Sequence, residues 1–208
     1  DDDDDDDDDD GGGVAIKPNQ KTTQIVDKSE QSMVHFRRQV YLTIMSSIDF
    51  EECAHKMFKQ GVEDNELEVA NMIVECCSQE RTYLRFYGLL AQRFCQARPR
   101  EFLEPFDQVF VKWFSTIHRL ETNKLRNVAK LFAHLLHSDA MPWSLLWNIR
   151  LNQEETTSSS RIFIKIMFNE LAEFLGLVEL NRRLTDPTMV ESVAGLFPRD
   201  HPRNTRFA

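Results

Sequence analysis

The chain has 208 residues, 41% of them hydrophobic, and a formal net charge of −9. Ten of the 34 acidic residues are the consecutive Asp at positions 1–10, which leaves 24 acidic residues against 25 Lys and Arg. This balance excludes a strongly basic nucleic-acid-binding domain. No apolar run approaches about 18 residues, so no membrane-spanning helix is expected.

The two ends of the chain are predicted to lie outside the folded domain. The Asp run repels itself and buries nothing, and Gly11–Gly13 add flexibility, so residues 1–28 are predicted to be a disordered acidic linker. A helical domain is predicted over residues 29–197. Residues 198–208 contain two Pro and no periodicity, which predicts an extended tail. Because no initiator Met is present, we expect a fragment of a longer protein.

The first half of the domain has apolar residues at helical spacing. A first amphipathic helix is predicted between Val34 and Ile48, and Asp49 is predicted to cap a second that ends at Gly61. A third covers residues 66–79 and a fourth ends at Pro99. Pro105 is predicted to be the first residue of the next helix, where its missing N–H costs nothing.

The segment "ETNKLRNVAKLFAHLLHSDAMPW", residues 121–143, has an apolar face wider than half of the helix circumference. A helix of this kind is covered on several sides, so a central position is predicted. The remaining arc holds Arg126, Asn127, Lys130, His134 and His137. This strip is either exposed to solvent or bound by a partner, and the spacing of the residues alone does not decide between the two.

The second half of the domain is also predicted to be helical. Pro142 is predicted to begin a helix, and "RIFIKIMFNELAEFLG" is long enough to favour a buried helix closed by Gly176 over a strand. Asp186 followed by Pro187 indicates another helix start. About nine or ten short helices with short loops predict an all-α, HEAT-like α-solenoid of antiparallel helix pairs.

Catalytic and cofactor motifs are not found. There is no phosphate-binding loop, and three of the seven Gly lie in the linker, so neither an enzyme nor a cofactor is predicted. His134 and His137 have a spacing that a metal could use, but solvated histidines at a helix end are the favoured interpretation. Cys53, Cys76, Cys77 and Cys95 form no Cys-x-x-Cys motif and are predicted to be buried free thiols in a reducing compartment.

Basic residues supply the candidate contact sites. Such groups can hold phosphates or acidic side chains, although a solvated face is the commoner outcome. Arg81 and Arg85 are four residues apart and are predicted to share one helix face. The candidate partner-binding residues are Arg126 and Lys130, then Arg81 and Arg85, then Arg199, Arg203 and Arg206 in the tail.

Several long stretches resemble a known family. These are "MSSIDFEECAHKMFK", "NMIVECCSQERTYLRFYGLL", "ETNKLRNVAKLFAHLL", "TTSSSRIFIKI" and "GLFPRDHPRNTRFA". From about residue 45 to the end, the chain resembles the nucampholin-type pre-mRNA splicing factors in the region of their second helical domain, the MA-three domain.

The resemblance implies a HEAT-like fold, a nuclear location in spliceosomes and nuclear speckles, and a scaffold role without catalytic residues. It implies spliceosomal core proteins as partners, with direct binding to the pre-mRNA backbone as the alternative. The family also brings a DEAD-box helicase to spliced exons for exon junction complex assembly. That contact belongs to a middle domain not found in this chain. The family continues beyond "NTRFA", so the last helix pair is expected to be incomplete.

Overall fold

The computed structural model describes the backbone from Gln20 to Ala208 and the side chains from Ser29 onward. Residues 1–19 of the predicted linker lie outside the described residues. From Gln20 the chain is already helical, so the helical part begins nine residues earlier than predicted. The chain divides into a unit that ends at Phe36 and a larger unit, Arg37–Ala208. The larger unit contains the packed helices and all of the candidate residues.

Residues 20–208 contain nine α-helices and no strand. In chain order they are α1 (Gln20–Ser46), α2 (Phe50–Gln60), α3 (Glu66–Gln79), α4 (Arg85–Ala97), α5 (Pro99–Ser115), α6 (Thr122–His137), α7 (Ser158–Leu175), α8 (Leu177–Leu184) and α9 (Pro202–Phe207). Short 3-10 helices cover Ile117–Arg119, Trp143–Asn148 and Pro187–Met189. The predicted all-α fold is confirmed, and "RIFIKI" is helical, as predicted.

Helices that alternate along the chain stack on one another. Helix α2 packs on α4 and α4 packs on α6, while α3 packs on both α5 and α6. Helix α7 covers the remaining side of α6 and contacts α8. This arrangement of stacked helix pairs is the predicted HEAT-like solenoid. Helix α6 contacts α3, α4 and α7, which confirms its predicted central position.

Phenylalanine fills the interior. The ring centroid of Phe110 lies 4.9 Å from that of Phe132 and 6.0 Å from that of Phe163, so α5, α6 and α7 meet at one aromatic cluster. All three side chains are fully buried. The edge-to-face arrangement of Phe110 and Phe132 adds to the burial of their apolar surface.

Local signals fix several helix ends, and those at Asp49, Gly61 and Gly176 are as predicted. The Asp49 carboxylate accepts the Glu52 N–H at 2.8 Å and caps α2, and Gly61 ends that helix at φ 87°. Thr157 caps α7 through the Ser160 N–H, and Gly176 ends it at φ 80°. Positive φ at both glycines explains why the helices stop there.

The predictions that depended on proline needed correction. Pro99 follows the end of α4 but also begins α5, and Pro105 lies inside α5 instead of at its start. Pro142 precedes a 3-10 helix and not an α-helix. The predicted extended tail contains α9, which begins at Pro202 and is capped by the His201 ring nitrogen accepting the Arg203 N–H. A proline that breaks one helix is equally suited to the first turn of the next.

Candidate interaction surfaces

The polar strip of α6 is largely internal. Asn127 is 1% exposed, and its amide donates hydrogen bonds to the carbonyls of Cys77 (3.1 Å) and Glu80 (2.8 Å). The last carbonyls of a helix have no partner within that helix. Asn127 therefore ties α6 to the end of α3, and it is not available to a binding partner.

The two histidines are also part of the packing. His134 is 4% exposed, and its Nε2 lies 2.7 Å from the Gln92 Oε1 on α4. The His137 ring stacks on the Phe174 ring at a centroid distance of 4.1 Å. Burial, followed by His137 and Arg85, lowers the pKa of His134 to about 4, and burial followed by Arg85 lowers the pKa of His137. The prediction of solvated histidines was wrong, and both rings are neutral at neutral pH.

Arg126 and Lys130 lie one turn apart on α6 but differ in their environment. The Lys130 ammonium pairs with the Glu170 carboxylate of α7 at 3.1 Å, and both side chains are partly buried. Arg126 is exposed, and no described side chain from residue 29 onward pairs with it. Of the two, Arg126 is therefore the residue that can accept a new partner without first losing an existing one.

Arg81 and Arg85 do not share a helix face, contrary to the prediction. Helix α3 ends at Gln79 and α4 begins at Arg85, so Arg81 lies in the intervening turn. Both arginines are exposed. The helical spacing of the sequence continues across the break, which is why the turn was missed.

The turn between α3 and α4 nevertheless brings these arginines to α6. The carbonyl of Glu80 is held by Asn127, and the charge of Arg85 acts on His134 and His137 further along α6. The turn thus runs beside the α6 strip. We call this basic border the α6 edge, and it consists of Arg81, Arg85, Arg126 and Lys130.

The contact between α4 and α6, next to the α6 edge, is tightly packed. A Cβ added to Gly88 of α4 would meet the Tyr83 hydroxyl and would lie 2.7 Å from the His134 Cγ. The glycine is therefore needed for the close approach of α4 to α6. Within residues 29–208, the buried Tyr83 hydroxyl and His137 Nε2 have no hydrogen-bond partner.

The three tail arginines are exposed, and two of them lie on the folded element α9. Arg199 precedes α9, whereas Arg203 and Arg206 lie one turn apart on it. The Arg161 guanidinium of α7 lies 4.9 Å from the Phe207 ring centroid, and this contact attaches α9 to α7. Helix α9 therefore holds Arg203 and Arg206 on one folded segment of the tail.

A cleft of about 900 Å³ in the C-terminal region was not predicted. Trp147 and Phe197 line it and are 53% and 52% exposed, and Arg150 and Arg199 also line it. Trp147 lies in the segment that was predicted to be a helix beginning at Pro142, and Phe197 is the last residue of the predicted helical domain. The two residues are far apart in the sequence, so spacing could not show that they line one cleft.

Reactive and metal-binding features are limited in the described part of the chain. All four cysteines are buried free thiols, as predicted, and burial raises the pKa of Cys53 to about 11. No group of three or more His, Cys, Asp or Glu within residues 29–208 is arranged to hold a metal ion. Among the described helices, none has the length and apolarity needed to cross a membrane.

A fold of stacked helix pairs with exposed basic edges is typical of helical interaction domains. The family model of the MA3 domain matches residues 36–142, which include α2–α6 and the whole α6 edge. The chain therefore belongs to the MA3 domain family, as its resemblance to the MA-three region predicted. This is not a known enzyme family.

Curated relatives extend the similarity across most of the chain. It is 58% identical over 190 residues to the mouse protein named pre-mRNA-splicing factor CWC22 homolog, and 57% identical over the same length to the human protein of that name. Both alignments cover 91% of this chain and 21% of the relative. The pre-mRNA-splicing factor cwc22 of Emericella nidulans is 55% identical over 185 residues, covering 88% of this chain and 21% of the relative. The chain thus spans about a fifth of the length of these relatives.

Proposed function

We propose that this chain is a protein-docking domain of a pre-mRNA splicing factor, acting as a scaffold within the nuclear spliceosome. The observation that carries the proposal is the identity of 54–58% to proteins named as splicing factors, from fungi to mammals, over about nine tenths of the chain. Spliceosomal core proteins are the proposed partners, and nuclear speckles are included in the proposed location. A role of the longer protein in exon junction complex assembly, through a DEAD-box helicase, is assigned to none of residues 1–208.

The α6 edge is the proposed docking surface. It supplies exposed guanidinium groups from two separate chain segments, because Arg126 lies on the central helix α6 whereas Arg81 and Arg85 lie in the α3–α4 turn and at the start of α4. A surface that is already folded loses little conformational entropy on binding. Arginine is enriched among the residues that dominate protein interfaces because its fork binds carboxylates in a bidentate manner. Arg126 anchors this surface because it has no internal partner within the described residues.

The test is recovery of spliceosomal proteins from splicing-active nuclear extract on the tagged chain, quantified by mass spectrometry. The variant combines Arg81→Glu, Arg85→Glu and Arg126→Glu. Lys130 is left unchanged because its reversal would place a second carboxylate beside Glu170. The matched control reverses three other exposed arginines, Arg38, Arg100 and Arg119.

Loss of at least tenfold in recovery with the α6-edge variant, and retention with the control, supports the proposal. Circular dichroism must show the same helix content and melting temperature for both variants. Equal recovery on the folded α6-edge variant and the control contradicts docking through this surface. Failure of the unmodified chain to recover any spliceosomal protein contradicts the docking function itself.

A second candidate function is direct contact with the RNA backbone. The observation in its favour is α9, because it fixes Arg203 and Arg206 on a folded element attached to α7. Against it stands the near balance of acidic and basic residues outside the Asp run.

Fluorescence anisotropy with a labelled 20-nucleotide single strand, between 50 and 200 mM salt, distinguishes this candidate. Three phosphate contacts predict a slope of about −2 in log K against log salt, because each contact on a single strand contributes about −0.7. Combined Arg199→Glu, Arg203→Glu and Arg206→Glu must then abolish the slope. No binding at 50 mM salt removes the candidate.

A further inference from the structure

The C-terminal cleft is formed by two chain segments that are far apart in sequence. The first segment contributes Trp147 and Leu151 to the lining, and the second contributes Val190 and Phe197. Val190 is 64% exposed, and Trp147 and Phe197 are each more than half exposed. Three large apolar side chains thus face solvent around one concave surface, which is typical of a docking site.

The floor of the cleft is fixed. The Leu151 N–H donates to the Gly195 carbonyl at 2.8 Å, and a Cβ at Gly195 would lie 3.2 Å from the Arg150 Cα and closer still to the Ile149 carbonyl. The two segments are therefore in backbone contact that only glycine permits. The Thr205 hydroxyl donates to the Pro198 carbonyl at 2.7 Å and secures the α9 side. These contacts fix the backbone of the two segments that carry Trp147 and Phe197.

The charges in the lining are not equally available. The Asp186 carboxylate accepts the Thr188 N–H and hydroxyl at 2.9 and 2.6 Å, and the Asp200 carboxylate accepts the Asn204 amide at 3.2 Å.

The two cationic side chains of the cleft have no such partner. The Arg150 guanidinium lies 5.9 Å from the Trp147 ring centroid. Within residues 29–208, no carboxylate pairs with Arg150 or Arg199. The cleft therefore offers two guanidinium groups without a carboxylate partner, whereas Asp186 and Asp200 keep their charge but accept hydrogen bonds from neighbouring groups.

A nucleic acid strand fits this surface poorly. Trp147 also lines an adjoining cleft of about 490 Å³ that contains Glu104, Asp107 and Glu191. A phosphate backbone lying across Trp147 would pass these carboxylates and be repelled. A peptide differs because it can place acidic and apolar side chains at separate points.

We infer that the Trp147 cleft, lined by Trp147, Arg150, Val190, Phe197 and Arg199, is a docking site for a partner peptide with a large apolar side chain beside acidic residues. The apolar side chain packs between Trp147 and Phe197, and the acidic groups pair with Arg150 and Arg199. The inference rests on the proposed docking function, but it concerns residues outside the α6 edge. It also lies outside the part of the chain matched by the MA3 family model.

The experiment is a selection from a phage-displayed library of random 12-residue peptides on the immobilised chain. A parallel selection uses a variant with Trp147→Ala and Arg199→Glu. Peptides enriched only on the unmodified chain are expected to combine an aromatic or large aliphatic residue with Asp or Glu. Peptides that are basic, or that are enriched equally on both proteins, would overturn the inference.

One selected peptide is then synthesised with a fluorophore, and its Kd is measured by anisotropy. Trp147→Ala, Phe197→Ala and Arg199→Glu are each expected to weaken binding at least tenfold, whereas Arg199→Lys weakens it less. The matched controls are Phe174→Ala, which removes a phenylalanine with the same 52% exposure, and Arg203→Glu, which reverses a neighbouring arginine outside the lining. Equal weakening by the controls overturns the inference, as does full competition by a 12-nucleotide oligouridylate.

The outcomes are separable from those of the proposed function. If no cleft-dependent peptide is selected while spliceosomal proteins are still recovered through the α6 edge, the cleft inference alone fails. If the unmodified chain recovers no spliceosomal protein, the proposed function fails whatever the peptides show. Melting temperatures of the variants at Trp147, Phe197 and Arg199 must match that of the unmodified chain, because these side chains are exposed. Phe174→Ala also loses its stacking on His137, so this control must show the helix content of the unmodified chain.

Discussion

Helix α6 and the C-terminal cleft use the same kinds of residue in opposite ways. In α6, Phe132 is fully buried, Asn127 and His134 bond to neighbouring helices and Lys130 has an acidic partner. In the cleft, Trp147 and Phe197 face solvent, and the arginines have no acidic partner within the described residues. The difference is the number of covering helices. Helix α6 is covered from three sides, whereas the cleft is lined by short elements with little to cover them.

The largest expected contrast is between two phenylalanines. Phe132→Ala removes a fully buried ring from the cluster shared by α5, α6 and α7, and should lower the free energy of unfolding by about 3–5 kcal/mol. Phe197→Ala removes a half-exposed ring and should change it by less than about 0.5 kcal/mol. Urea unfolding followed by circular dichroism measures both. Similar losses of unfolding free energy in the two variants would show that Phe197 is as well packed as Phe132 of α6.

Acidification should destabilise the α6 side. Because the folded-state pKa of His134 lies below its unfolded value, the unfolded state binds more protons between about pH 6.5 and pH 4, and stability is lost as pH falls through this window. From pH 7 to pH 5 the loss is on the order of 2 kcal/mol. His134→Gln should remove most of this pH dependence, whatever its effect at pH 7. Unfolding free energies from urea titrations at the two pH values test this, and an unchanged slope in the variant would contradict it.

Gly88→Ala should be destabilising although alanine is the better helix former. The added methyl would strike the Tyr83 hydroxyl and the His134 ring, and overpacking of this kind costs about 1–3 kcal/mol. Helix propensity offsets about 1 kcal/mol of this cost, so a net loss of up to about 2 kcal/mol is expected. Thermal and urea unfolding measure it, with the exposed Gln96→Ala of the same helix as the control. Stabilisation would mean that α4 can move away from α6.

The smallest effect separates Lys130 from Arg126, which lies one turn away on α6. Lys130→Met keeps the aliphatic stem but loses the Glu170 pair, and a partly exposed pair contributes no more than about 1 kcal/mol. The loss should shrink in 1 M NaCl, where screening is strong. Arg126→Met should leave stability unchanged in either buffer. Equal effects of both substitutions would show that the ion pair with Glu170 contributes nothing.

Whether the role of a residue could be predicted depended on how near its partners are in the sequence. Asp49, Gly61 and Gly176 act within one helical turn, and their roles were predicted correctly. Asn127 and His134 belong to the polar arc of α6, but their partners lie more than 40 residues away, so spacing could not show that they are buried. Arg81 and Arg85 were predicted to share a helix face because the helical periodicity of the sequence continues through the α3–α4 turn, where the helix itself is interrupted.

The sequence by itself determined the helical class and the central place of α6, because apolar periodicity shows which helix faces must be covered. It also carried the likeness to the MA3 domain and to splicing factors. Only the tertiary structure decided which polar residues remain exposed. Exposure depends on which helices pack against α6 and on how the segments that contain Trp147 and Phe197 meet at Gly195. Contacts between segments that are distant in the sequence produce no periodic pattern, so they could not be predicted from spacing.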